Sequence, residues 1–191
     1  MSLNLYIICG CNGAGKTTAS YTVLPEILDC REFVNADEIA RGLSPFNPEG
    51  VAIEAGRIMH DRIEELLSKR VTFSIETTLA AKSYLGLVRR AQSQGYSVRL
   101  VFFWLRTPEL ARQRVLERVR NGGHNIPEAV IRRRYINGIK NLFHLYMKEV
   151  DFWVIYDNSV NPRRQIACGG RDVVTLVNDE VLFDKMCDYV K

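Results

Sequence analysis

The segment Gly10-Cys11-Asn12-Gly13-Ala14-Gly15-Lys16-Thr17 sets three glycines, a lysine and a hydroxyl in a fixed order. A polyphosphate needs several hydrogen-bond donors close together to offset its charge. Glycine-rich backbone turns N–H groups inward and approaches such an anion closely, because glycine adopts conformations that side chains forbid. In the spacing G-x-x-x-x-G-K-[ST], the lysine reaches the β and γ phosphates and the hydroxyl ligates Mg²⁺. Asn12, Gly13, Ala14, Gly15, Lys16, Thr17 and Thr18 are therefore the expected nucleotide-binding residues, with Thr17 on the metal and Lys16 also in the catalytic set.

Two carboxylates follow at intervals that suit the same chemistry. Asp37, in "FVNADEIA", comes just after a short apolar run, where an ionised carboxylate can accept the proton of an acceptor hydroxyl. Asp37 or Asn35 can equally cap the helix that begins there. Glu76, in "FSIETTLA", either holds Mg²⁺ through water or meets an acceptor hydroxyl, with Thr77 and Thr78 as further polar contacts. From Arg106 to Arg134 the chain carries eight arginines, and a guanidinium fork suits the charge that spreads over transferring phosphoryl oxygens. Arg118 and Arg134 are the best placed of these, beside the loop "NGGHN" and Tyr135. His124 in that loop is either an exposed loop residue or a substrate contact.

These residues need elements to hold them. Residues 5–9 form an apolar run ending in glycine, which fits a strand buried on both faces. A helix should start at the Lys16-Thr17 pair and reach about Leu24, where Pro25 interrupts or kinks it. A strand at residues 32–34 and a short helix follow, and Asn47-Pro48 opens a long helix to about Arg70 with Ile58, Met59, Ile63, Leu66 and Leu67 buried. Residues 71–78 alternate as a half-buried strand does, although the order of elements calls for a central one. Another helix runs to Gly95, and "SVRLVFFWL" is a strand. Helices opened by Pro108 and Pro127 flank the loop at residues 121–127, and the second runs to about Val150. The strand "FWVIYDNS" follows, ending in a turn near the expected adenine, and a small hairpin around Gly169-Gly170 leads into a terminal helix. Phe102, Phe103, Trp104, Phe152 and Trp153 read as core.

Alternating strands and helices predict an α/β fold with a mostly parallel central sheet and a helix layer on each face. The 191 residues fit one domain, with a lid around residues 106–134 and an appendage at residues 160–191. Net charge +4 and pI near 8.8 suit an anionic small molecule as well as a nucleic acid. The absence of alternating aromatic and basic residues argues against nucleic acid. No apolar run approaches the roughly 20 residues of a membrane span, so no membrane partner and a cytoplasmic location are expected. Five cysteines without metal or disulfide spacing read as buried free thiols. A guanine-reading Asn-Lys-x-Asp and an ABC-type signature are both missing, which leaves a small-molecule kinase using ATP and Mg²⁺.

Taken together, "GCNGAGKTT", "NADEIA", "IETTLA" and "RVRNGGHNIPEAVIRRRY" resemble the zeta toxin family of P-loop kinases over residues 4–159. The resemblance implies an adenylate-kinase-like three-layer P-loop NTPase fold and transfer of the γ-phosphate of ATP to a nucleotide sugar such as UDP-N-acetylglucosamine. It places Lys16 and Thr17 on the nucleotide loop, Asp37 as base, Glu76 and Thr78 on substrate, and Arg118 and Arg134 in the lid. The chain departs from the family after Glu76, where Ala80 stands at an arginine position and Lys82 is the nearby cation. Two other readings remain open at this point: a nucleotide-responsive binding protein paired with a small protein inhibitor, and a nucleic-acid end kinase.

Overall fold

The computed structural model describes residues 3–26, 28–123 and 125–190. The apolar run near the amino end forms β1 (Asn4–Cys9), whose Leu5, Ile7 and Cys9 are fully buried. The other strands are β2 (Glu32–Val34), β3 (Phe73–Thr77), β4 (Ser97–Trp104), β5 (Phe152–Asp157), β6 (Arg164–Gly170) and β7 (Val173–Val177). Between them lie α1 (Lys16–Glu26), α2 (Ala36–Leu43), α3 (Ala52–Ser68), α4 (Tyr84–Ser93), α5 (Pro108–Arg120), α6 (Glu128–Asn141), α7 (Met147–Glu149) and α8 (Glu180–Cys187). The strands form one seven-stranded sheet in the order β2-β3-β1-β4-β5-β6-β7. Pairing is parallel from β2 to β5 and antiparallel for the last two. This is the predicted α/β fold with a mostly parallel sheet. Among the described residues no helix is long and apolar enough to cross a membrane.

Because five strands point the same way, the segments after β1, β2, β3, β4 and β5 gather at one sheet edge. Register fixes the alignment: Ile8 lies opposite Glu76, Cys9 opposite both Thr77 and Phe102, and Trp104 opposite Asp157.

Several local expectations change. The alternation in β3 suggests one solvated face, but the strand takes the central place that the order of elements calls for, and its Ser74 is fully buried. The Ser74 hydroxyl donates to the Glu32 carbonyl at 3.1 Å, and Thr72 Oγ1 accepts from the Asn4 N–H at 3.1 Å. The polar positions are thus satisfied by neighbouring backbone rather than by water. Pro25 sits in the last turn of α1 instead of stopping the helix before it. Asn47 and Pro48 start a 3₁₀ turn (Pro48–Val51) that leads into α3, whose buried face includes Ala55 while Ile58 is part-exposed. Phe152 is also part-exposed, whereas Phe102, Phe103, Trp104 and Trp153 are core. The carboxyl-terminal hairpin turns at Arg171-Asp172, with both glycines inside β6, and it extends the main sheet rather than standing apart.

The helix opened by Pro127 is continuous to Glu149 but contains a π turn (Leu142–Tyr146). Here the helix holds the loop that follows β3. Asn141 Nδ2 donates to the Leu79 carbonyl at 2.8 Å, and the Tyr146 hydroxyl donates to the Ala81 carbonyl at 3.1 Å. Gly138 lets the loop approach closely, since a Cβ there would lie 2.7 Å from the Thr78 carbonyl oxygen. Leu79 is fully buried with φ +59°, a conformation that costs a β-carbon residue about 1–3 kcal/mol and persists only where its surroundings impose it. Replacing Asn141 with Leu strands the Leu79 carbonyl, so denaturant unfolding should show a loss of about 1–3 kcal/mol. An unchanged midpoint would contradict the strap.

None of the five cysteines is in a disulfide among the described residues; Cys9, Cys11 and Cys30 are buried, while Cys168 and Cys187 are half-buried rather than buried as expected. Burial pushes the Cys11 thiol up to about 11, with Lys16 opposing, and pushes Cys9 well above its usual range for the same reason. At about pH 8 both remain protonated and shielded, so they should resist a thiol reagent in the native protein and react after unfolding. Fast labelling of native Cys11 would contradict this.

Candidate active site

The loop after β1 is shaped by what it must pass. Gly10 has φ +140°, and a Cβ there would lie 2.2 Å from the Phe103 carbonyl oxygen on β4, so no other residue fits. Gly13 and Gly15 also have positive φ. Helix α1 then starts at Lys16 with no acidic side chain in its first turn, which leaves its amino-terminal N–H groups and positive dipole end facing the loop.

Lys16 is 7% exposed, and its Nζ donates to the Cys11 carbonyl at 3.0 Å and lies 3.5 Å from Glu76 Oε1. The Thr17 hydroxyl donates to Glu76 Oε2 at 2.8 Å. The β1–β3 register therefore delivers one carboxylate to both Lys16 and Thr17. Two more contacts brace the loop. Asn12 Oδ1 accepts from Arg134 Nη1 at 3.1 Å, and Asn158 Nδ2 donates to the Ala14 carbonyl at 2.7 Å. Asn158 follows Asp157, which is fully buried and holds Arg106 Nη2 at 2.8 Å and the Ser159 N–H at 2.9 Å. The "YDNS" turn thus props the loop from behind.

On α2 the cap and the carboxylate are separate residues. Asn35 Oδ1 accepts from the Asp37 N–H at 2.9 Å and caps the helix, so the Asp37 carboxylate is left for the cleft. That cleft has a volume of about 920 Å³. Lys16, Thr17, Asp37, Glu76 and Arg118 all line it, together with Asn12, Gly13, Gly15 and Thr18. Burial pushes the Arg118 guanidinium below its ordinary range, Asp37 draws it back up, and Arg41 adds repulsion. A cation and a carboxylate lining the same cleft as a glycine loop are an arrangement that can hold and neutralise a transferring anion.

Other expected residues lie elsewhere. Ala14 is fully buried and does not line the cleft, and neither does Thr78, whose carbonyl faces Gly138. Arg134 lines a second cavity of about 270 Å³ on the other side of α2, which shares Asp37 with the cleft. His124 lies outside the described residues. Arg41, Glu38 and Tyr21, which were not expected, also line the cleft, as does Arg114, one of the eight arginines but not one of the two preferred. Helical spacing offered a signal for two of them, since Arg41 is four residues after Asp37 and Arg114 four before Arg118. Arg114 Nη1 donates to the Asn158 carbonyl at 2.9 Å.

Similar proteins support the architecture. A chain of the AvrRxo1-ORF1:AvrRxo1-ORF2 complex, crystallised with sulphate ions, superposes with TM-score 0.77 at 16% identity, covering 97% of this chain and 63% of that one. The present chain therefore spans under two thirds of that relative. The same complex with ATP gives TM-score 0.75, with the same identity and coverage. The PezAT chromosomal toxin-antitoxin system of Streptococcus pneumoniae gives TM-score 0.70 at 19% identity, covering 96% of this chain and 78% of that one. An uncharacterized protein of Haemophilus influenzae is 29% identical over 127 residues, 66% of this chain and 89% of that protein. A family model described as an AAA domain matches residues 5–135. With more than half of its length matched, and with the glycine loop, Asp37, Glu76 and Arg118 inside the match, the chain belongs to this AAA domain family.

Proposed function

We propose that the protein is an ATP- and Mg²⁺-dependent kinase that transfers the γ-phosphate to a hydroxyl of a small acceptor. The observation that carries this reading is the meeting of Lys16, Thr17, Glu76, Asp37 and Arg118 in one 920 Å³ cleft. Thr17 and Glu76 present hard oxygen atoms 2.8 Å apart at the head of α1, a donor set that fits Mg²⁺ retaining several waters. Thr17 and Glu76 would hold Mg²⁺, which would supply positive charge to offset that of the phosphates. The loop N–H groups and Lys16 bind the triphosphate, and Lys16 exchanges its contacts with Cys11 and Glu76 for phosphate oxygens. Asp37 accepts the acceptor hydroxyl proton while that oxygen bonds to the γ-phosphorus. The bond from phosphorus to the bridging oxygen breaks, ADP leaves, and Arg118 neutralises the charge in transit.

For the acceptor, the resemblance to zeta toxins favours a nucleotide sugar such as UDP-N-acetylglucosamine. The cleft sits near the upper end of the roughly 300–1,000 Å³ usual for ligand sites, which leaves room for a second molecule beside the triphosphate. The toxin-antitoxin relative also raises a binding role with a small protein inhibitor. The presentation of the Asp37 carboxylate to the cleft favours transfer, because a pure nucleotide sensor has no need of a base there.

Incubation with labelled ATP, Mg²⁺ and a panel of nucleotide sugars, nucleosides and small alcohols, with mass detection of product, tests the reading. Asp37→Asn should lower transfer by about 10²–10⁴-fold with ATP binding retained, and Lys16→Met should weaken ATP binding itself. Full activity in Asp37→Asn would remove Asp37 from the mechanism. Glu76→Gln should raise the Mg²⁺ concentration needed for half-maximal activity by about tenfold; an unaltered Mg²⁺ dependence would remove Glu76 from the metal site.

A further inference from the structure

Helix α2 brings two cleft residues of opposite charge, Asp37 and Arg41, four positions apart on one helix face. Side chains at this spacing start about 5–6 Å from each other. The proposed base fixes where the acceptor hydroxyl must sit, so a group a few bonds from that hydroxyl comes within reach of Arg41. The other cleft cations are set elsewhere: Lys16 belongs to the loop, Arg114 is tied to the Asn158 carbonyl, and Arg118 comes from α5. Arg41 stands on α2, apart from these. It is 47% exposed, and its Nη1 is shared between the two carboxylate oxygens of Glu38 at 3.0 and 3.2 Å. Glu38 is itself a cleft residue. An exposed arginine–glutamate pair of this kind is weak and exchanges readily, whereas a planar guanidinium binds a phosphate or carboxylate through two parallel hydrogen bonds. The second cavity is no alternative for a large acceptor, because it holds only about 270 Å³.

We infer that Arg41 is the acceptor-recognition residue, and that the acceptor carries an anionic group, phosphate or carboxylate, within a few bonds of the hydroxyl that receives the phosphoryl group. Glu38 holds Arg41 until that anion displaces it. This inference rests on the kinase reading and adds a requirement that the reading alone does not make, since Asp37 chemistry works equally well on a neutral alcohol.

Matched acceptors separate the two. Initial rates with ATP and Mg²⁺ are measured for N-acetylglucosamine, its 1-phosphate and its UDP derivative, for glycerol, glycerol 3-phosphate and glycerate, and for Arg41→Gln, Arg41→Lys and Glu38→Gln. Within the series that is used, the anionic members should be the substrates, and the phosphate and carboxylate arms identify which anion is read. For the preferred acceptor, Arg41→Gln should raise KM by roughly tenfold or more, the loss expected for a hydrogen-bonded charge, with KM for ATP nearly constant. Arg41→Lys should recover part of the loss, and Glu38→Gln should lower the acceptor KM by freeing the guanidinium. The inference is overturned, with the kinase reading intact, if neutral members are phosphorylated as well as anionic ones. It is equally overturned if Arg41→Gln leaves the acceptor KM unchanged or acts on KM for ATP instead. Transfer to no member of the panel would overturn the kinase reading and this inference with it.

Discussion

The pairing of β1 with β3 is the constraint on which the rest of the site depends. It sets Glu76 opposite Ile8, one residue before β1 ends and two before the glycine loop begins. From there one carboxylate reaches both the Thr17 hydroxyl and the Lys16 ammonium. A one-residue slip would turn Glu76 to the opposite face of the sheet and bring Ile75 or Thr77 in its place. Slippage is opposed by burial of Phe73, Ser74 and Ile75, and by the Ser74 hydrogen bond to the Glu32 carbonyl on β2. Hydrophobic packing thus does the positioning that the proposed phosphate chemistry requires.

The second layer of organisation comes from the chain's later half. Helix α6 and its π turn grip the loop after β3 through Asn141 and Tyr146, while Arg134 on the same helix holds Asn12 in the glycine loop. One helix therefore touches both the glycine loop and the loop after β3. The turn after β5 braces the same loop from the opposite side through Asn158, itself anchored beside the buried Asp157–Arg106 pair. Preorganisation of this sort keeps donors in place before the ligand arrives.

How much of this could be read from residues alone depended on whether local sequence carried the information. The glycine loop, the strand before it and the helix after it were legible because each residue type has a local physical reason to be there. The mostly parallel sheet followed from the alternation of elements. The interior place of β3 came from the order of elements and stood against its own alternation, because its polar Ser74 finds a partner on a neighbouring strand, and strand neighbours are not visible in a single sequence. Asn35 and Asp37 both suit a cap, and the choice depends on backbone geometry at residue 35. The π turn, the strained Leu79 and the separation of Arg134 from Arg118 are products of packing between distant segments. Arg41 and Arg114 had helical spacing as a clue, but an arginine four residues from a functional group is common on solvated helices, so spacing alone could not single them out.

The central claim is that the Lys16–Thr17–Glu76 cluster and Asp37 move a phosphoryl group onto an acceptor rather than onto water. Mass spectrometry of a reaction with ATP labelled with oxygen-18 in the γ-phosphate tests it most directly. The account predicts an acceptor that gains a phosphoryl group carrying the label, formed in step with ADP. Formation of ADP with all of the label in inorganic phosphate would contradict it.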